Sequence, residues 1–212
     1  MQLLAISLSG LKRVPYRGRW IETGIYKEPV KGPVWVHEWG LEGDRQADLK
    51  NHGGPDKAVY VYTLENYRYW ELELGRDLPF GQFGENLTVC GMVDEAVHIG
   101  DIFRIGEVRV QVTQPRVPCY KLGIKMEDPG FVRRFHHSGR VGFYLRVLRE
   151  GTVAVGDTVE LLEPDPAKLS ISEAMLAVTK GPRQQEIIER ALAIPALSQA
   201  WRRDLQKAAP EQ

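Results

Sequence analysis

The stretch EVRVQVTQ, residues 107–114, sets three valines in strict alternation with Arg109, Gln111 and Thr113. A period of two residues is typical of a β-strand that buries one face and leaves the other polar. Residues 141–147 repeat this alternation, and AVYVY, residues 58–62, is rich in the β-branched and aromatic residues that suit a pleated sheet. The sequence therefore predicts a mainly β fold, built from antiparallel sheets or a barrel.

Two similar segments, VHIGDIFRIG at residues 97–106 and VAVGDTVELL at residues 153–162, place Gly-Asp at a turn before a new strand. Glycine tolerates the backbone of a tight turn, and aspartate accepts hydrogen bonds from nearby backbone N–H groups. Because a pair is too few for a repeat protein, we interpret the segments as equivalent corners of a small closed barrel. Apolar spacing predicts short helices at residues 64–74 and 128–137.

The pattern changes at Glu163-Pro164-Asp165-Pro166, since two prolines in four residues continue neither a strand nor a helix. Beyond them, the capping-box pair Ser170 and Glu173 and the apolar spacing predict three helices. We therefore predict a β-barrel domain with short helices at residues 1–164 and a small three-helix domain at residues 167–212. Since about 45 helical residues bury little core alone, this tail should pack on the barrel or on a second copy in a homodimer.

Composition excludes several classes of protein. The 28 Lys and Arg residues balance the 28 Asp and Glu residues, which disfavours a polycationic nucleic-acid binder. No apolar run approaches the ~18 residues of a transmembrane helix, and the first residues lack the order of a signal peptide. Two cysteines cannot build a disulfide framework. We expect a cytoplasmic protein without a nucleic-acid or membrane partner.

The segment QPRVPCYK, residues 114–121, places two prolines directly before Cys119 and so stiffens the chain there. Arg116, Lys121 and Lys125 bring positive charge near the sulfur and favour its thiolate form. Cys90, in contrast, lies in the apolar run LTVC, which is typical of a buried packing residue. We predict that Cys119 is functional and that Cys90 is structural.

Three further stretches carry groups that suit an anionic or heterocyclic ligand, although ordinary turns and an exposed helix face are the alternatives. Paired glycines and cations at residues 43–58 suit a phosphate. The acidic and amide pair in FGEN, residues 83–86, suits the edge of a heterocycle. A basic segment at residues 133–140 adds a phosphate contact. The candidate binding residues are Arg45, His52, Gly53, Gly54, Lys57, Glu85, Asn86, Arg116, Lys121 and Arg140.

Taken in order, HGG with KAV at residues 52–59, FGENL at 83–87 and QPRVPC at 114–119 resemble the MOSC family, named for the C-terminal domain of molybdenum cofactor sulfurases. The chain is most similar to its YiiM-like subgroup, bacterial relatives of the mitochondrial amidoxime reducing component, and the tail resembles the helical domain of that subgroup. The resemblance implies a β-barrel in which Cys119 binds the molybdenum of a pterin cofactor. A soft thiolate suits that metal.

The resemblance also implies an activity, the reduction of N-hydroxylated compounds such as 6-N-hydroxylaminopurine to the amine. No side chain supplies a reversible two-electron couple, so the cofactor carries that chemistry. Because the sequence has no flavin, haem or iron–sulfur signature, the electrons would come from a separate reductase. The phosphate would face Arg45, His52, Gly53, Gly54 and Lys57, and the ring Glu85 and Asn86. Candidate proton relays are Tyr60, Tyr120 and His52.

Three other functions remain open for the same residues. The Cys119 pocket suits a carrier that delivers the molybdenum cofactor to other enzymes, and a persulfide on Cys119 suits sulfur transfer. A cysteine hydrolase would need a base, for which His52 and His137 are candidates. Reductase and carrier share every motif, so the sequence alone does not separate them.

Overall fold

The computed structural model describes residues 1–47, 53–179 and 181–208. The described strands are β1 (Gln2–Leu8), β2 (Lys12–Tyr16), β3 (Arg19–Thr23), β4 (Glu28–Pro29), β5 (Val34–His37), β6 (Gly40–Leu41), β7 (Val59–Thr63), β8 (Leu87–Cys90), β9 (Ile102–Ile105), β10 (Val108–Pro115), β11 (Phe143–Arg149), β12 (Gly151–Val153) and β13 (Val159–Glu163). The helices are α1 (Leu64–Leu74), α2 (Tyr120–Lys125), α3 (Phe131–His137), α4 (Ile171–Ala174), α5 (Gln184–Ala193) and α6 (Gln199–Ala208), with 3-10 turns at Pro55–Lys57 and Met175–Val178. The fold is a mixed one dominated by sheets.

The alternating segment forms β10 in the interior of the main sheet. Within the described residues this sheet has eight strands in the order β13-β9-β10-β11-β7-β8-β1-β4. β10 pairs antiparallel with both neighbours and buries Val108, Val110 and Val112. A three-stranded sheet, β12-β5-β6, and a separate hairpin, β2-β3, complete the sheets. The predicted strand and its buried face are confirmed.

The main sheet does not close into a barrel in the part of the chain that the structure describes. Its outer strands, β13 and β4, are not paired with each other. The start of β1 meets the chain around the start of β13 through an isolated bridge between Gln2 and Thr158. Three backbone hydrogen bonds accompany the bridge: Leu3 N to Asp157 O (2.9 Å), Gly156 N to Leu3 O (2.8 Å) and Val159 N to Met1 O (3.0 Å). These few contacts do not form a ladder, so the closed barrel predicted from the sequence is not confirmed.

The two Gly-Asp turns are nonetheless equivalent in conformation. Gly100 and Gly156 have φ angles of 99° and 98°, in the left-handed region that glycine tolerates. Each following aspartate accepts a hydrogen bond from the backbone three residues earlier, Asp101 from His98 N (2.9 Å) and Asp157 from Ala154 N (2.7 Å). The turn chemistry read from the sequence is confirmed.

One strand pair departs from the antiparallel prediction. β7 and β8 are parallel, and α1 lies between them in the chain. Trp70 of α1 donates its indole N–H to the Tyr62 hydroxyl (2.9 Å), and Tyr67 packs edge-on against the same ring. Because α1 covers its second face, β7 is buried along its whole length, which period-two alternation does not predict.

The helical tail packs on the main sheet, as one of the two predicted arrangements requires. Trp201 and Leu205 of α6 are buried in the same apolar core as the β10 valines. Ser198 donates its backbone N–H to Thr113 O (3.1 Å) and its hydroxyl to Gln114 Oε1 (2.6 Å). The tail therefore shares its core with the sheet. The division into two domains at residue 164 and the homodimer stay predictions.

A buried carboxylate between α1 and β11 is expected to make stability depend on pH. Asp94 accepts hydrogen bonds from Asn66 Nδ2 and Gly142 N (2.9 Å for the latter), but burial outweighs these bonds and raises its pKa to about 6. From pH 4 to 6 the folded protein therefore retains a proton that the unfolded chain releases. The contribution of Asp94 to the free energy of unfolding then falls as the pH rises through this window, by about 3 kcal/mol in total.

Asp94→Asn should remove this contribution. The difference in free energy of unfolding between variant and wild type, measured by urea denaturation at steps between pH 4 and 7, should shift by about 3 kcal/mol in favour of the variant. Other carboxylates act equally on both proteins and cancel. Parallel stability profiles across this range would contradict the assignment.

Candidate functional site

A pocket opens beside the end of β3 and the segment that follows β10. Its empty volume is about 600 Å³, including its open mouth. β7 and β11 place Tyr60 and Tyr144 in its wall, where the two rings lie opposite each other with centroids 5.4 Å apart. The lining residues are Thr23, Gly24, Ile25, Lys27, Arg45, Gln46, Ala47, Lys57, Tyr60, Gly84, Asn86, Arg116, Cys119, Lys121 and Tyr144.

The pocket is strongly cationic. Among the described residues, five lining side chains are basic and none is acidic; the basic ones are Lys27, Arg45, Lys57, Arg116 and Lys121. A concave wall that carries one sign of charge concentrates its field and raises the local concentration of the opposite ion. The pocket is therefore suited to an anionic ligand.

Arg116 is the most deeply buried of these cations, only 6% exposed. Its guanidinium lies over the rings of Tyr60 (4.9 Å) and Phe135 (5.4 Å). Burial acts to lower its pKa, but the nearby Tyr60, Tyr144 and Cys119 raise the pKa above its ordinary value, so the group stays charged. Its Nη1 atom is buried without a hydrogen-bond partner among the described atoms. Such an unmet donor is costly, and an acceptor on a ligand would satisfy it.

Cys119 lies in the same wall, in extended backbone directly before α2. Its side chain is half-buried, and its electrostatic neighbours include Arg116 and Tyr144. A cation beside a thiol favours the thiolate, which is the form that binds metals. Cys90 is also half-buried, but it lies at the end of β8 and does not line the pocket.

The pocket also contains Lys27, which no sequence motif indicates. Its ammonium is 2.5 Å from both carboxylate oxygens of Asp44, and Asn86 Nδ2 donates to the same carboxylate (3.0 Å). Burial lowers the pKa of Lys27, while Asp44 and Glu85 partly offset that effect. No motif surrounds Lys27, and only the path of the chain after β3 brings it into the pocket, so no local signal would have found it.

Glu85 lies behind the pocket wall. Its side chain is fully buried and accepts hydrogen bonds from four protein donors. The donors are the Tyr67 hydroxyl, Gly81 N (2.7 Å), Phe83 N (3.1 Å) and Thr88 Oγ1 (3.0 Å). In this structure the carboxylate holds together the turn that leads to Asn86 and does not line the pocket. The contact with a ring edge stays a prediction.

The other candidate residues divide into two groups. The pocket brings together Arg45, Lys57, Asn86, Arg116, Cys119 and Lys121. Gly53 and Gly54 lie outside its lining, and Gly54 starts the 3-10 turn that carries Lys57 into the wall. Arg140 is turned away, because its guanidinium binds Asn66 Oδ1 (3.2 Å) and lies over the Tyr69 ring (4.8 Å). His52 lies outside the described residues.

Two glycines let the chain close tightly around the pocket. A Cβ at Gly24 would lie 2.1 Å from the backbone oxygen of Arg45, and one at Gly84 would lie 2.8 Å from Ile25 Cγ1. Gly84 also has a φ angle of 82°, which other residues rarely adopt. The glycine of the FGEN motif therefore serves the close approach of two pocket walls.

Fold and site together define a class of protein: a sheet-dominated fold with a cationic pocket, lined by a thiol and two tyrosine rings and suited to an anionic ligand. The family model described as "MOSC domain" matches residues 48–160. Since that match spans more than half of the chain, the protein belongs to the MOSC domain family, and it is a YiiM-like member of it. Membership supports a function related to the molybdenum cofactor.

Similar proteins cover nearly the whole chain. An uncharacterized protein, YflK, from Bacillus subtilis is 45% identical over 205 residues, 97% of this chain and 93% of that protein. Protein YiiM from Escherichia coli is 36% identical over 188 residues, 87% of this chain and 84% of that one. The crystal structure of YiiM from Geobacillus stearothermophilus has a TM-score of 0.83 at 33% identity and covers 99% of both chains.

A fungal relative has a different length. A protein named "Reductase" from Gibberella moniliformis is 36% identical over 173 residues, which are 80% of this chain but only 30% of the fungal protein. The similar segment is therefore one part of a much longer chain.

None of the helices within the described ranges has the length and apolar character to cross a membrane. The cytoplasmic location stays a prediction.

Proposed function

We propose that this protein binds the molybdenum cofactor in the pocket around Cys119 and reduces N-hydroxylated compounds to amines. The observation that carries this proposal is the composition of the pocket wall. In the described part of the chain, that wall combines a thiol with five cations and no carboxylate. A soft sulfur ligand suits molybdenum, and the cations suit the phosphate of a pterin cofactor.

The residues present fit such a cofactor. The buried Nη1 of Arg116 needs an acceptor, which the phosphate or the heterocycle would provide. Tyr60 and Tyr144 offer aromatic surface in the same wall, and Cys119 would hold the metal. Asn86 is engaged by Asp44 and by the backbone N–H of Tyr60 (3.1 Å), so we assign it to keeping this wall in place.

The overall reaction converts an N-hydroxylated compound, two electrons and two protons into the amine and water. When bound, the cofactor supplies the two-electron couple that no side chain offers. Lys27 is a candidate proton donor, because its ammonium lines the pocket, is held by Asp44 and has a pKa that burial lowers. Tyr60 does not suit the relay predicted from the sequence. Its hydroxyl donates to Val141 O (2.8 Å), and burial raises its pKa well above the ordinary value.

The electrons are proposed to come from a separate protein. The fungal relative, named a reductase, joins a segment similar to this chain to a much longer polypeptide. The name of this relative supports a reductase function for proteins that contain such a segment. We propose that the present chain receives its electrons from a partner protein.

The test is turnover with a chemical electron donor. Cofactor-loaded protein, reduced with dithionite, should convert 6-N-hydroxylaminopurine to adenine over many cycles, as measured by liquid chromatography. Cofactor binding without turnover would contradict the reductase and support a cofactor carrier. Persulfide transfer by Cys119 in protein that binds no molybdenum would contradict both and support sulfur transfer.

A further inference from the structure

The hairpin of β2 and β3 lies beside the pocket mouth, and it pairs with no other strand in the part of the chain that the structure describes. β3 ends at Thr23, and residues 23–25 line the pocket. Tyr16, at the end of β2, stacks on Tyr120, with ring centroids 4.7 Å apart and planes at 27°. Since Tyr120 directly follows Cys119, the hairpin is fixed to the rim nearest the proposed metal ligand.

The exposed side chains of this hairpin are mostly cationic and aromatic; by its register Arg13 and Trp20 share one face, and Arg19 shares the other with Tyr16. Trp20 is 63% exposed, and Arg13, Arg17 and Arg19 are exposed as well. None of these three arginines forms an ion pair with any residue in the described ranges. Glu22, opposite Arg13, is the acidic residue within the two strands. We call Arg13, Tyr16, Arg17, Arg19 and Trp20 the hairpin patch.

The turn between the strands holds Arg17 in place. Arg17 and Gly18 have φ angles of 49° and 77°, the left-handed pair that a tight two-residue hairpin turn requires. The Arg17 guanidinium lies over the Tyr16 ring (5.3 Å). Arg17 is therefore connected to the Tyr16–Tyr120 stack. The patch presents fixed positive charge next to the aromatic rim of the pocket.

We propose that the hairpin patch docks a small acidic electron-transfer protein that carries a flavin or an iron–sulfur cluster. This inference rests on the proposed function, which needs electrons from a partner. Tryptophan, tyrosine and arginine are enriched where protein interfaces gain most of their binding energy. These guanidinium groups, which form no ion pair within the described ranges, complement an acidic surface and speed its association.

The position of the patch favours an electron donor over other acidic partners. The docked donor loses two electrons, together or one at a time, and these electrons with two protons turn the N-hydroxylated compound into amine and water. Through Tyr16 and Tyr120 the patch adjoins Cys119, so a docked donor would stand next to the place where the electrons are used. An anionic membrane would also attract the patch, but membrane binding does not require the patch to lie beside Cys119.

The experiment compares two double variants with the same change in charge. Arg17→Glu with Arg19→Glu reverses charge on the patch, while Arg68→Glu with Arg76→Glu does so on exposed positions near α1, outside the pocket lining. Turnover is driven either by dithionite or by reduced flavodoxin or ferredoxin, both small acidic carriers. Dithionite-driven turnover should be equal in all proteins. Carrier-driven turnover at low salt should fall roughly tenfold or more in the patch variant alone.

Several results would overturn the docking proposal. The first is an equal carrier-driven rate in the patch variant and the wild type. The second is a loss of carrier-driven turnover in the control variant as large as that in the patch variant. The third is a wild-type protein that turns over with dithionite but with neither carrier. Patch-dependent binding to phosphatidylglycerol vesicles, without an effect on carrier-driven turnover, would assign the patch to a membrane. Absent dithionite-driven turnover would contradict the proposed function instead. In that case calorimetric binding of the oxidised carriers still tests the patch, and equal affinity for wild type and patch variant would overturn it.

Discussion

Cys119→Ala is expected to remove both bound molybdenum and turnover. The substitution takes away the sulfur that would hold the metal, while the cations and tyrosine rings of the pocket stay in place. Because Cys119 is half-buried and precedes a short helix, losing one sulfur atom should leave the fold intact. Metal content by mass spectrometry, turnover with dithionite and the unfolding midpoint in urea measure the three expectations separately.

Cys90→Ala is the matched control for this change. Cys90 has a similar degree of burial but lies at the end of β8, outside the pocket lining. We expect it to keep the metal and the turnover of the wild type. Unchanged molybdenum content and activity in Cys119→Ala would show that the metal ligand is assigned to the wrong residue.

Glu85→Ala is expected to cost about 4 kcal/mol or more of the free energy of unfolding. Four buried donors would lose their acceptor, and each unsatisfied donor costs about 1–3 kcal/mol. The negative charge near Lys27 and Lys125 would disappear as well, although it now helps to keep both ammonium groups protonated. The total is a large fraction of the stability of an ordinary domain. Urea denaturation of the apo-protein measures it.

The same variant distinguishes the supporting role of Glu85 from the ligand contact predicted by the sequence. Glu28→Ala, which removes an exposed carboxylate paired with Lys12, should leave stability nearly unchanged. A Glu85→Ala protein that is as stable as the wild type but fails to bind cofactor would contradict the supporting role. That result would instead support a direct contact between Glu85 and the cofactor.

The strands were predictable because their cause is local. In β10 the buried valines and the more polar positions between them follow the pleat of a single strand. β7 was predictable as a strand from AVYVY, but its parallel pairing with β8 was not. That pairing depends on α1, which covers the second face through Trp70 and Tyr67. Sheet closure likewise depends on contacts between distant parts of the chain, so turn chemistry at Gly100 and Gly156 was not enough to establish it.

The site was predictable where residue type and loop stiffness were enough. Arg116 and Cys119 meet in one wall because the Pro-rich segment after β10 carries both residues. The burial of Glu85 was not predictable, because a carboxylate in a glycine-rich turn serves backbone donors as readily as a ligand, and the residue types do not distinguish the two. Lys27 was missed because tertiary contact with Asp44, and no motif, defines its environment.

We propose that Cys119 holds molybdenum in the cationic pocket. The most direct measurement is a crystal structure of cofactor-loaded protein with anomalous diffraction collected on both sides of the molybdenum absorption edge. We expect an anomalous peak within bonding distance of Cys119 Sγ, with the anionic end of the cofactor against Arg116 and its neighbouring cations. A molybdenum peak elsewhere on the chain, or a cofactor held without contact to Cys119, would contradict it.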